Sequence, residues 1–180
     1  MGLFEKIEDV EIKQGNRVAY PDFQEGRAVA EIVMTGMKTE TKKGSGHPYF
    51  LSYRIREGLS GGFLGQEGKV FSWTRVVSVA YDPKARRLKL TEYGKKDALE
   101  IKKAVMAIMN LPSEQVDEDV IADFFGVDDN DAPRDDFDPE THAGTPFIIT
   151  VKQKVHTKKD VDGREVSKTY TNQYFDVFEG

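Results

Sequence analysis

The sequence predicts a mainly β fold: a five-stranded Greek-key barrel with helices inserted between its third and fourth strands. Three observations lead there. Apolar residues recur at every second position in several stretches bounded by Gly, Pro and Asp. Helical spacing of apolar residues is confined to one block, from Asp97 to Gly126. The resulting order is strand, strand, strand, helices, strand, strand, whereas parallel α/β folds alternate strand with helix.

The elements follow in chain order. Residues 1–25 hold Leu3, Phe4, Ile7, Val10 and Ile12, which fit neither period, and Tyr20-Pro21-Asp22 reads as a turn. The stretch RAVAEIVMTG (Arg27–Gly36) alternates, with Ala28, Ala30, Ile32 and Met34 on one face. A lysine- and glycine-rich loop, MKTETKKGSGHP, separates it from YFLSYRIRE (Tyr49–Glu57). There Tyr49, Leu51, Tyr53 and Ile55 read as core, and Phe50, Ser52, Arg54 and Arg56 as the other face. Glycines 58, 61, 62, 65 and 68 form a turn into KVFSWTRVVSVAY (Lys69–Tyr81), which is rich in β-branched and aromatic residues. Asp82-Pro83 ends that strand, and RLKLTEY (Arg87–Tyr93) reads as a short extra one.

Asp97 with Glu100 three residues on forms a capping box for a helix whose apolar residues are Ile101, Val105, Ile108 and Met109. It must end before Pro112. Ser113 is the expected cap of a second helix, with Val116, Val120, Ile121 and Phe124 inward and Gly126 as its stop. An acidic, proline-containing loop leads to two antiparallel strands, Phe147–Thr157 and Val166–Phe178, joined by a turn with Asp162-Gly163 at its tip. Helices between strands three and four of a five-stranded Greek-key barrel give the OB-fold order. A β-sandwich with a helical insertion, or another α+β roll, shares it. The whole chain is expected to be one domain, with its core over 26–178.

Composition narrows the function classes. The 180 residues are 38% hydrophobic, 32% charged and 11% aromatic, as in a soluble globular domain rather than a disordered or membrane chain. No apolar run nears transmembrane length, and MGLFEKIEDVEIKQG mixes acids into its apolar residues, unlike a secretory signal. The absence of cysteine removes disulfides, thiol nucleophiles and cysteine-ligated zinc. A cytoplasmic location is expected.

The net charge of −5 hides an asymmetry. Between Ser113 and Thr141 lie twelve acidic residues and one basic residue, Arg134, so that stretch is −11 and the remainder +6. A basic body with an acidic segment suits a nucleic-acid binder. It also suits a solvated acidic face that only aids solubility.

Signals for catalysis are weak. His47, His142 and His156 are not spaced as ligands, and HExxH, GxSxG and the P-loop are absent; Lys69 is followed by Val70. A calcium loop starting at Asp128 fails at its sixth position, Pro133. Asp117–Asp119 could serve a metal-dependent nuclease, yet solvated acids at a helix start explain them as well. No enzyme activity, cofactor or metal is expected.

Binding signals are stronger, because single-stranded nucleic acid needs cations for phosphates and flat rings for bases. Lys38, Lys42, Lys43, Arg54, Arg56, Arg75, Lys152 and Lys154 are the expected phosphate contacts. Phe50 and Trp73, with Tyr170 and Tyr174, are the expected stacking rings. The competing reading puts Trp73 inside the barrel with Arg75 at its rim.

The run GRAVAEIVMTGMKTETKKGSGHPYFLSYRIREG, the glycine turn, GKVFSW and the closing TNQYFDVF together resemble phage-encoded single-stranded DNA-binding proteins of the OB-fold class. The resemblance covers residues 26–178. It implies a role in DNA replication or recombination, single-stranded DNA as partner, and the host cytoplasm as location. Such proteins often bear an acidic C-terminal tail for partners; here the acidic stretch is internal. Asp128–Glu140 could fill the basic groove when DNA is absent, or dock replication or recombination proteins. A protein-interaction module working through that segment is the rival function, and the nuclease the third.

Overall fold

The computed structural model describes residues 25–38, 46–84 and 86–180. The candidate contacts Lys42 and Lys43, like the pattern of residues 1–24, lie outside the described residues.

The architecture is one curved antiparallel sheet with two helices. β1 (Gly26–Met37), β2 (Gly46–Gly61) and β3 (Val70–Asp82) form a meander, and β4 (Arg87–Leu90) returns along the end of β3. Helices α1 (Glu92–Met109) and α2 (Glu118–Phe125) follow, then β5 (Pro146–Lys159) and β6 (Glu165–Asp176). The sheet order is β4-β3-β2-β1-β5-β6. The five long strands and the helical insertion stand where the alternation placed them. The sheet is open: among the described residues no backbone ladder joins β3 to β6.

It nonetheless curls. The Trp73 ring on β3 meets the Phe175 ring on β6 edge-on at 5.1 Å. The Tyr53 hydroxyl on β2 donates to Gln173 Oε1 on β6, 2.8 Å away, and burial pushes that hydroxyl's pKa up. The core therefore lies inside the curl, where alternate residues of every long strand converge: Ala28, Ala30 and Ile32; Leu51, Tyr53 and Ile55; Phe71 and Trp73; Phe147, Ile149 and Val151. α1 closes it by burying Ile101, Ala104, Val105 and Ile108 against β3 and β6.

Helix starts differ from the sequence reading, for local reasons. α1 begins six residues early, because the Thr91 hydroxyl accepts from Gly94 N at 2.9 Å. A Cβ at Gly94 would meet the Ser78 carbonyl oxygen at 2.1 Å, so only glycine lets this turn lie against β3. Asp97 and Glu100 instead face Arg75. Ser113 opens a single 3-10 turn, and Asp117 caps α2 by accepting from Val120 N at 3.0 Å. Gly126 ends α2 at φ +64. The buried Thr35 hydroxyl donates to Phe124 O at 2.9 Å and ties α2 to β1.

Candidate functional site

β5 and β6 pair over their full length, from Ile148 opposite Asp176 to Lys159 opposite Glu165. The neighbouring strand β1 stops sooner: its first residue, Gly26, pairs with Val151. Beyond that row Gln153 N still donates to Glu25 Oε1 at 3.1 Å. Past it, among the described residues, the hairpin leaves the body, and every residue from Lys152 to Tyr170 is exposed. The eight residues Lys152–Lys159 make a ribbon roughly 25 Å long. Its tip is built by Asp160, whose Oδ1 accepts from Asp162 N and Arg164 N, both at 2.9 Å. Gly163 supplies the positive φ of +77 that the turn requires.

Residues paired across antiparallel strands share a face. One face of the ribbon thus presents Lys152 with Asn172, Lys154 with Tyr170, His156 with Lys168, and Lys158 with Val166; Tyr174 lies at its base. No acid stands in those rows. The other face holds Gln153, Val155, Thr157, Ser167, Thr169 and Thr171, and its one charged row, Lys159 opposite Glu165, is neutral. The charge is one-sided. Cations and rings are already in contact there: Lys168 Nζ is 5.2 Å from the Tyr170 centroid and Lys152 Nζ 5.8 Å from that of Tyr174. The His156 ring meets Tyr170 edge-on at 5.3 Å. Tyr170 and Tyr174 are 43% and 49% exposed, so about half of each side chain stays accessible beside its lysine.

This face turns away from the core, since Ile149 and Val151 point inward between its residues. Arg27 shares its side of the sheet, in the row Arg27–Thr150–Tyr174. So do Arg54 and Arg56, which both reach Glu31, at 3.3 and 3.7 Å. The row between Arg27 and Glu31 on this side, Glu57–Val29–Ile148–Asp176, adds two exposed carboxylates, so the three arginines over the sheet are balanced and the unbalanced positive charge lies on the ribbon.

The structure thus brings Lys152, Lys154, Tyr170 and Tyr174 together, with Arg54 and Arg56 farther along the same side of the sheet, and separates them from Trp73 and Arg75. Trp73 is 2% exposed in the core, and no base can reach its ring. Trp73 and Arg75 share the inner face of β3 with Phe71. Arg75 lies over the Trp73 ring at 4.9 Å, bonds Glu100 and has Asp97 at 3.9 Å, so two acids answer its charge. Phe50 does lie on the outer face with Arg54, yet it is buried with Met34 beneath Lys38, whose Nζ is 6.0 Å from its ring. The expected floor of Phe50 and Trp73 is therefore not formed. Sequence reasoning passed over Arg27 and His156 as contacts; with Asp162-Gly163 as the hairpin tip, the register puts His156, Lys158 and Lys168 on the lysine face.

The acidic segment lies at the far end of the sheet. Pro139 O accepts from Thr35 N at 2.9 Å and Thr145 O from Ile32 N at 3.0 Å, so the loop runs along the second half of β1. Arg134 pairs within the segment, with Asp123 at 3.0 Å and Asp136 at 3.8 Å. Between α2, the loop and the start of β2 is a groove of about 500 Å³. Its apolar floor includes Tyr49, Val77 and Ile121; Glu118, Asp119, Asp128, Asp129 and Asp131 rim it. Burial, with Asp131 and Glu118 adding, pushes the Tyr49 hydroxyl's pKa up. Nothing here fills a basic groove in the same chain: from Thr35 to Gly26 is about 30 Å of strand path, and the ribbon leads further away.

Among the described residues no three His, Asp or Glu side chains are placed to hold a metal ion, and no helix is long and apolar enough to cross a membrane. In comparisons with protein families, curated proteins and solved structures, nothing matches this chain.

Proposed function

We propose that this protein is a non-enzymatic, largely sequence-independent binder of single-stranded DNA, acting in replication or recombination. One observation carries the reading: an exposed ribbon with four lysines, a histidine and two half-open tyrosines on one face, and no acid among them. Lysines at every second position can follow a phosphate backbone, and open rings beside them offer a surface to unstacked bases. Lys152, Lys154, Lys158 and Lys168 would hold phosphates; Tyr170 and Tyr174 would stack. Arg27, in the row of Thr150 and Tyr174, would extend the track at the ribbon's base.

The fold reading is finer than the sheet alone. Leaving out the short β4, the order β3-β2-β1-β5-β6 is that of an OB barrel cut between its third and fifth strands, with α1 packed across the cut. The Trp73–Phe175 contact across that seam supports it. In this reading the ribbon is the loop between the fourth and fifth barrel strands, one of the two loops that OB-folds use for ligands.

Fluorescence anisotropy on a labelled oligo-dT, against a duplex of equal length, tests the function across a salt titration. Tighter binding to the single strand, weakening steeply with salt, is expected. Equal affinity for both, or affinity indifferent to salt, would dismiss it.

A further inference from the structure

The chain carries two complementary surfaces at opposite ends. At one is the ribbon's lysine face, with Val166 and Tyr170 52% and 43% exposed among its cations. At the other is the apolar groove rimmed by Glu118, Asp119, Asp128, Asp129 and Asp131. None of these five acids forms an ion pair with a lysine or arginine among the described residues. The groove floor also leaves Leu90 42% exposed.

We infer that the ribbon of one copy docks into the acid-rimmed groove of the next, so that the protein associates head to tail. The occupant follows from charge and geometry. The groove calls for a segment that offers apolar side chains flanked by cations, and the ribbon's lysine face is one. A copy cannot supply its own: β5 runs antiparallel to β1 and leaves the sheet past Gly26, whereas the groove adjoins Tyr49, whose partner on β1 is Met37. Joining unlike surfaces makes a heterologous contact, which propagates rather than closing as a two-fold dimer does. The docked face is the one proposed above for DNA, so single strands and a second copy compete for it. The association itself stands whether or not the ribbon binds DNA.

Sedimentation velocity without DNA, on the full chain over a concentration series, tests the inference. In about 50 mM NaCl the sedimentation coefficient should rise with concentration; in about 500 mM it should stay at the monomer value, the association weakening about tenfold or more. Two neutralised variants break opposite ends: Glu118→Gln/Asp129→Asn/Asp131→Asn at the groove and Lys152→Ala/Lys154→Ala on the ribbon. Asp128 is left alone because its carboxylate accepts from Asn130 N and Ala132 N and holds the turn. Each variant alone should be monomeric, with wild-type circular dichroism. Mixed, they should form 1:1 dimers and nothing larger, because only one intact groove and one intact ribbon remain. A wild type that stays monomeric at low salt overturns the inference. So does either variant associating alone, or a mixture that fails to dimerise.

Discussion

The lysines of the ribbon allow a quantitative test. Lys152, Lys154, Lys158 and Lys168 project from one face. If each neutralises one phosphate of a single strand, log K against log salt should fall with a slope of about −2.8, at about 0.7 per contact. Replacing Lys152 and Lys154 by alanine removes two contacts and should flatten the slope by about 1.4. Each contact is worth about fivefold in affinity between 1 M and 0.1 M salt, so the double variant should bind oligo-dT about 25-fold more weakly at 0.1 M. Both side chains are exposed and unpaired with acids in the ribbon rows, so the melting temperature should stay near wild type. Lys159→Ala is the control, on the opposite face across from Glu165. The assay is anisotropy at four or more salt concentrations. An unchanged slope in the double variant, or an equal loss in Lys159→Ala, would refute the one-sided assignment.

Other expectations separate core from surface. Trp73→Ala should destabilise by about 3–5 kcal/mol, lowering Tm by about 10 °C, because a 2%-exposed ring leaves a cavity; oligonucleotide affinity well below Tm should be kept. Addition of oligo-dT should barely quench its fluorescence. Tyr170→Ala and Tyr174→Ala should each weaken binding by about 1–3 kcal/mol with little change in Tm, as read by anisotropy and thermal melts. His142 stacks on Phe124 at 4.5 Å, and burial holds its pKa below the usual histidine value of 6.5. The unfolded chain therefore takes up the proton first, so this group's stabilising effect is present above about pH 6.5 and is lost as pH falls toward the folded-state value. The drop in Tm between about pH 7.5 and 5.5 should be smaller in His142→Gln than in wild type.

The strand alternation was legible wherever one strand face met the core. Leu51, Tyr53 and Ile55 separate from Arg54 and Arg56 by period alone, and the structure buries the first set and exposes the second. Period 2 sorts residues into two faces but does not say which face is inward when both carry apolar and charged residues. That is why Trp73 and Arg75, expected outward as contacts, lie on the inner face with Phe71. Their inward placement depends on α1, whose Asp97 and Glu100 answer the Arg75 charge from 22 and more residues away in sequence. Phe50 failed differently: it faces outward as read, yet is covered there with Met34. The ribbon was half visible. Its lysines and tyrosines stood out, but their assembly on one face needs the register, and their exposure needs β1 to end at Gly26 while β5 continues. Asp97 looked like a cap because Asp-x-x-Glu satisfies the capping pattern; Thr91 supplies the cap six residues earlier, where Gly94 lets the helix touch β3.

The separation of charge also decides how far a net charge of −5 opposes DNA. The acids along the Thr35 end of β1 lie about 30 Å of strand path from Gly26, where the ribbon begins. At 0.15 M salt the screening length is about 8 Å, so the acidic end should be invisible to a strand held on the ribbon. At about 0.01 M it reaches about 30 Å, and the same acids should repel the strand. Neutralising exposed acids by Asp129→Asn, Asp135→Asn and Glu140→Gln should therefore leave affinity for oligo-dT unchanged at 0.15 M and tighten it at 0.01 M. The measurement is made at nanomolar protein, where copies do not meet. Equal tightening at both salts would mean that the acidic segment touches the ribbon in solution, and that the two ends are not apart as the strand path places them.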